Sequence, residues 1–196
     1  MNNKRTSVQT KQLVLSAVLT AIVVILQLIA ILTRAVMPAF AINLVLIPIV
    51  IGASIGGVRT GAWLGFVSGV AILVSGDAAA FLAVDIAGTI ITVLLKGTLS
   101  GVAAAFVYKL LEGKNKYLAV LMSAIACPVA NTGIFILGCF TFFMDTVRAW
   151  GESLGYTNAF VYILLGMVGI NFIIEMVINV ILSPVVVRLL SIEKKS

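Results

Sequence analysis

The segment Val168-Gly-Ile-Asn171-Phe-Ile-Ile-Glu175-Met-Val-Ile-Asn179-Val-Ile-Leu-Ser-Pro184 sets three polar side chains four residues apart in an otherwise apolar run. On an α-helix Asn171, Glu175 and Asn179 form one stripe. The residues around them are apolar enough to lie in lipid, where a carboxylate costs about 2.5–3.5 kcal/mol even on the lenient insertion scale. Glu175 must therefore face protein or a wet cavity. Working outward, a second charge lies deep in an apolar stretch, Lys96 in Thr89-Ile-Ile-Thr-Val-Leu-Leu-Lys96-Gly97. Lys96 precedes Lys109 by 13 residues, and Glu175 precedes Arg188 by the same 13. If both helices run in the same direction, the two charges share a depth, and a buried Lys96–Glu175 pair is predicted. Such a pair reads either as an ionic tie between helices or as part of a ligand or ion site.

The whole chain fits that setting. Of 196 residues, 62% are hydrophobic and 10% charged, with a mean hydropathy of +1.22. A soluble domain carries about 25% charged residues, so this composition excludes one. The net charge of +6 sits between the apolar runs, which is a topology signal and not a nucleic-acid patch. Histidine is absent, which removes imidazole catalysis and imidazole metal ligation. There is no P-loop, dinucleotide fingerprint or metal-ligand cluster. The nearest approach to an intramembrane aspartyl protease motif, Val74-Ser-Gly-Asp77, lacks a partner aspartate. Asp77 is read as a solvated loop acid or a gate contact. No enzyme activity, cofactor or metal is expected. Cys127 and Cys139 fall in one predicted helix about 18 Å apart along its axis, too far to pair within it. The first apolar run is long and lacks a small-residue cleavage site, so no cleavable signal peptide is expected.

The pattern predicts an all-α membrane protein, a single domain over 1–196 with helices at about 13–32, 42–55, 62–74, 82–111, 117–144 and 158–190. The 20 residues Leu13–Leu32 suffice to span a hydrocarbon core of about 30 Å. Gly56-Gly-Val-Arg59-Thr-Gly61 reads as a tight turn between the second and third helices. Six crossings put both termini on one side. That side would hold Lys4, Arg5, Lys11, Arg59, Lys109, Lys114, Lys116, Arg188, Lys194 and Lys195, against Arg34 and Arg148 opposite. The asymmetry predicts cytoplasmic termini.

The second and third helices would each be about 20 Å long, short of the core. Backbone at the depth above them must be buried in protein or line a wet cavity. The Thr33–Ala41 and Ser75–Phe81 loops are therefore expected to dip inward from outside and wall a pocket between helices four, five and six. Asn131 is the first candidate to bind a ligand there. Asp85, Asn171, Asn43 and Thr89 follow, with Phe40, Phe81 and Trp150 as aromatic walls. In the first helix Ala17-Val-Leu-Thr-Ala21 permits close helix approach, as does Gly97-Thr-Leu-Ser-Gly101 in the fourth. The glycine pair is assigned to internal packing.

These features together resemble the substrate-binding S component of an energy-coupling factor (ECF) transporter. The resemblance rests on length, six helices, basic ends, Ala17-xxx-Ala21, Asn43-Leu-Val-Leu-Ile-Pro48, Gly61-Ala-Trp-Leu-Gly65, Ser75-Gly-Asp77, Lys96-Gly-Thr-Leu-Ser-Gly101 and Asn171…Glu175…Asn179…Pro184. It implies a vitamin-like ligand bound in the outer half of a prokaryotic plasma membrane. It also implies a transmembrane coupling subunit, contacted through Ala17 and Ala21, and two ABC ATPase subunits as partners. The resemblance leaves the ligand open. A stand-alone ion- or proton-coupled carrier, with Glu175 and Asp85 as coupling groups, is the other reading.

Overall fold

The computed structural model describes residues 2–36 and 44–193. Helix makes up 89% of the described residues, and no strand occurs among them. The helices are α1 (Asn2–Val36), α2 (Leu46–Val74), α3 (Ala79–Leu82), α4 (Ile86–Leu111), α5 (Lys116–Phe142), α6 (Met144–Ser153), α7 (Ala159–Val161) and α8 (Ile170–Glu193). A π-helical stretch, Tyr162–Gly169, joins α7 to α8, so that Ala159–Ser191 forms one long apolar rod. Among the described residues five helices are long and apolar enough to cross a membrane.

Two of the six expected segments lie within α2. The expected six-residue turn is reduced to one residue, Gly57, at φ 70° and ψ −162°. Residues with a Cβ rarely adopt that conformation, and glycine adopts it freely. The break folds the helix back on itself. A Cβ on Gly61 would lie 3.1 Å from the Cβ of Ala53, whereas eight residues along a straight helix cover about 12 Å. A side chain on Gly52 would likewise collide with Leu64.

The second arm of α2 (58–74) and α4 are the centre of the bundle. Gly61 meets Gly101, Gly65 meets Gly97 and Gly69 meets Val93, backbone against backbone. As the α2 number rises by four the α4 number falls by four, so the helices are antiparallel and in register. A Cβ on Gly61 would come within 2.5 Å of the Gly101 carbonyl oxygen, and one on Gly69 within 3.0 Å of that of Val93. Small residues allow this approach, which replaces the water-driven association that lipid cannot provide. The expected Gly97-xxx-Gly101 packing pair thus finds its partners in Gly61 and Gly65.

α1 packs on α2, α5 on α4, and α8 on α5 and α2. Leu19 and Val23 of α1, Ile49 and Leu64 of α2, Ala104 of α4 and Cys127 of α5 fill one core. The outward faces are apolar, for example Leu13, Phe106, Leu137 and Ile170, as lipid contact requires. Both cysteines are buried free thiols.

The remaining boundaries differ by local chemistry. The fourth helix does not begin at residue 82. The chain turns after α3, and the Asp85 carboxylate caps α4 by accepting from the Gly88 N–H at 2.9 Å. The loop expected after residue 144 is largely the helix α6, which packs on α7 and the π-helical stretch. α1 continues to Val36, so the first part of the expected Thr33–Ala41 loop is helical.

Candidate functional site

A cavity of about 350 Å³ opens between α4, α5 and α8 beneath the turn that follows α2. α4 contributes Val93 and Lys96, one turn apart. α5 contributes Asn131, Thr132 and Phe135, and α8 contributes Asn171, Phe172 and Glu175. The turn and α3 add Asp77, Ala78 and Phe81. Each set follows helical spacing, so one face of each helix is turned inward.

Four aromatic rings at and behind the wall interlock. The Phe81 ring sits edge-on to Phe135 at 5.7 Å and to Phe143 at 4.9 Å. Trp150 of α6 backs Phe81 at 5.5 Å. α6 therefore buttresses the cavity through a ring that lines it. The Lys96 ammonium stands 5.3 Å above the centre of the Phe135 ring, within cation–π range. The Asn131 amide donates to the Lys96 carbonyl oxygen at 3.4 Å, tying α5 to α4 at the depth of the charge. The π-helical stretch ends where Met167 and Val168 reach the wall. π-bulges widen a turn and re-aim the side chains after it, and they recur at functional sites.

The polar stripe of α8 divides. Asn171 and Glu175 face the cavity, and Asn179, 4% exposed, lies a turn below. Its amide donates back to the Glu175 carbonyl oxygen at 2.8 Å.

Of the residues singled out from sequence, the cavity brings together Asn131, Asn171, Phe81, Lys96 and Glu175. Asp85 and Thr89 stand apart from the lining. Asp85 is the cap of α4, and the Thr89 hydroxyl donates to the Asp85 carbonyl oxygen at 2.6 Å, a local bond that holds the same turn. Trp150 contributes through Phe81. Asn43 and Phe40 lie outside the described residues. Ala17 and Ala21 are exposed on α1.

Sequence reasoning passed over Thr132, Phe135, Phe172 and, behind the lining, Gln27, and it read Asp77, which lines the cavity, as either a solvated loop acid or a gate contact. The Gln27 amide is 2% exposed and donates to Asp77 Oδ2 at 3.4 Å. A signal existed for it: Gln27 is a strongly polar side chain within an apolar span, in helical phase with the buried Leu19, Val23 and Ala30. Phe135 stands four residues after Asn131, on the same helix face.

No group of three or more potential metal ligands occurs among the described residues. The arrangement offers charge, hydrogen bonds and aromatic faces within a volume suited to a small molecule. Neither a curated protein nor a solved structure matches the chain. The family model described as ECF transporter, substrate-specific component, matches residues 11–187, which leaves only the two ends uncovered. The chain belongs to the substrate-specific components of ECF transporters, membrane subunits of a transport system.

Proposed function

We propose that this chain is the high-affinity binding subunit of an ECF-type ABC importer for a water-soluble vitamin or a related micronutrient. The observation that carries the reading is the cavity itself, which gathers Lys96, Glu175, Asn131 and Asn171 from three membrane helices behind an aromatic wall. Intramembrane ionisable residues mark ligand or ion pathways. In this reading the cavity opens outward, the chain crosses a prokaryotic plasma membrane six times as one domain, and both termini are cytoplasmic. The fold-back at Gly57 supports the sixth crossing, and the basic-residue asymmetry supports the orientation. Asp85 is engaged as a helix cap, which favours a binding subunit over an ion-coupled carrier built on that carboxylate.

Asn131→Ala tests the site. Losing one hydrogen-bonding partner inside a closed pocket costs about 1–3 kcal/mol, or roughly ten- to hundredfold in affinity. Native mass spectrometry of the purified chain identifies the retained small molecule, and titration of that molecule measures the loss. Unchanged affinity in Asn131→Ala and Asn171→Ala alike would place binding elsewhere.

The transport partners are a transmembrane coupling subunit and two ATPase subunits, with α1 as the contact. Ala17 and Ala21 are exposed on α1, and small side chains permit a second helix to approach. Ala17→Leu with Ala21→Leu is expected to leave binding unchanged and to reduce uptake in cells that express the ATPase module. Loss of binding together with uptake would assign the two alanines to the chain's own packing.

A further inference from the structure

We infer that the ligand carries a planar nitrogen heterocycle, held against the rings of Phe81, Phe135 and Phe172 with its polar edge toward Asn131, Thr132 and Asn171. The inference rests on the cavity being the substrate pocket proposed above. The three phenylalanines line it from three separate elements, α3, α5 and α8. Aliphatic side chains would make the same wall apolar, as Ile72, Val93 and Val168 do elsewhere in the lining. What the rings add is geometry. Aromatic faces are electron-rich and edges electron-poor, so ring pairs prefer offset-stacked or edge-to-face arrangements. A saturated guest cannot satisfy that preference.

Phe81 and Phe135 stand at 87° to one another with centroids 5.7 Å apart, a right-angled corner in the wall. A flat ring stacked on one of them meets the other edge to face, so both favoured geometries are satisfied at once. The corner is preset. Phe81 is held edge-on by Phe143 and Trp150, and Phe143 is itself 2% exposed. A wall already in place spares the ligand the cost of ordering it. The polar side chains complete the match. The carboxamides of Asn131 and Asn171 each carry two N–H donors and one acceptor oxygen, and the Thr132 hydroxyl both donates and accepts. One Asn131 N–H is used on the Lys96 carbonyl at 3.4 Å, which orients the amide. A nitrogen heterocycle holds its donors and acceptors in the plane of its ring. Its edge can therefore bond the amides while its faces stay against the phenylalanines.

The experiment titrates the full chain in lipid nanodiscs by isothermal calorimetry, with thermal shift as a second readout. Thiamine (a cation), riboflavin (neutral) and folate (an anion) are the probes with planar heterocycles. Pantothenate and biotin (anions) and pantothenol (neutral) are the probes without one. Charge varies within both sets, so a preference for the first set reports the ring. At least one heteroaromatic probe is expected to bind about tenfold or more tightly than every non-aromatic one, the scale of one or two ring contacts. Phe135→Leu keeps the wall apolar and removes a ring, and should weaken that probe about two- to tenfold. Phe172→Leu, on another helix, carries the same expectation should Phe135→Leu fail to fold. A non-aromatic probe that binds as tightly as the best heteroaromatic one overturns the inference, as does an absence of binding by all three heteroaromatic probes. Affinity that falls with Asn131→Ala and is unchanged in both phenylalanine variants rejects the heterocycle while keeping the pocket. Affinity unchanged in all three variants rejects the pocket itself.

Discussion

Gly65→Leu is expected to lose the folded bundle, and Gly133→Ala is expected to keep it. At Gly65 an added Cβ would run into the carbonyl group of Gly97 and the Cα of Thr98. Backbone atoms cannot swing away as a side chain can, so α2 and α4 would have to separate. Overpacking against side chains typically costs about 1–3 kcal/mol, and a collision with main chain in the central helix pair belongs at or above the top of that range. The separation would propagate, because the same interface is closed one turn away on each side by Gly61 with Gly101 and Gly69 with Val93. Gly133 is the internal control. Nothing lies within 4 Å of a Cβ placed there, and alanine is favoured over glycine in a helix. Thermal unfolding in the same detergent compares the two variants. A Gly65→Leu protein that melts with the native chain would show that the helices can part at little cost, and the central role given to this interface would fall.

Lys96→Met is the second large effect. Lys96 and Glu175 line one cavity, reached from α4 and α8, with Lys96 also over Phe135. If the two charges are paired, removing the ammonium leaves a carboxylate at membrane depth, and breaking a buried pair costs about 3–5 kcal/mol. The methionine keeps the length and the apolar stem of lysine, so packing is largely preserved. Glu175→Gln in the same chain removes the stranded charge, and the double variant is expected to recover much of the lost stability. Unfolding free energies of the two single variants and the double variant form the cycle. A double variant as unstable as the sum of the singles would mean that Lys96 and Glu175 do not act on each other.

The candidate site was partly legible in the residues alone. Asn171, Glu175 and Lys96 stand out because an ionisable or amide side chain in an apolar run is costly wherever it sits, and helical spacing says which of them share a face. The same spacing marks Asn131 with Phe135 and Gln27 with Val23. Asp85, expected at the pocket, stands apart from the cavity lining for a local reason. An aspartate just before a new helical run is a favoured N-cap, and Asp85-Ile-Ala-Gly88 has that form, so its carboxylate was already committed to the Gly88 N–H. Thr89 is committed in the same turn.

Composition and periodicity by themselves determined that this chain is a bundle of apolar helices with basic ends. Length against bilayer thickness and the cost of charge in hydrocarbon depend only on residue type and spacing. Which small residues meet was decided by the tertiary structure. Gly61 and Gly65 lie 32 or more residues from their partners Gly97 and Gly101, and no local pattern encodes that register. The same holds for the turn at Gly57, where six residues of turn-like sequence reduce to one residue of left-handed backbone. It holds also for the partner of Asp77, since the Gln27 amide that donates to its carboxylate comes from another helix 50 residues away. A side chain's cost in lipid is a property of the residue, whereas its partner depends on how distant segments pack.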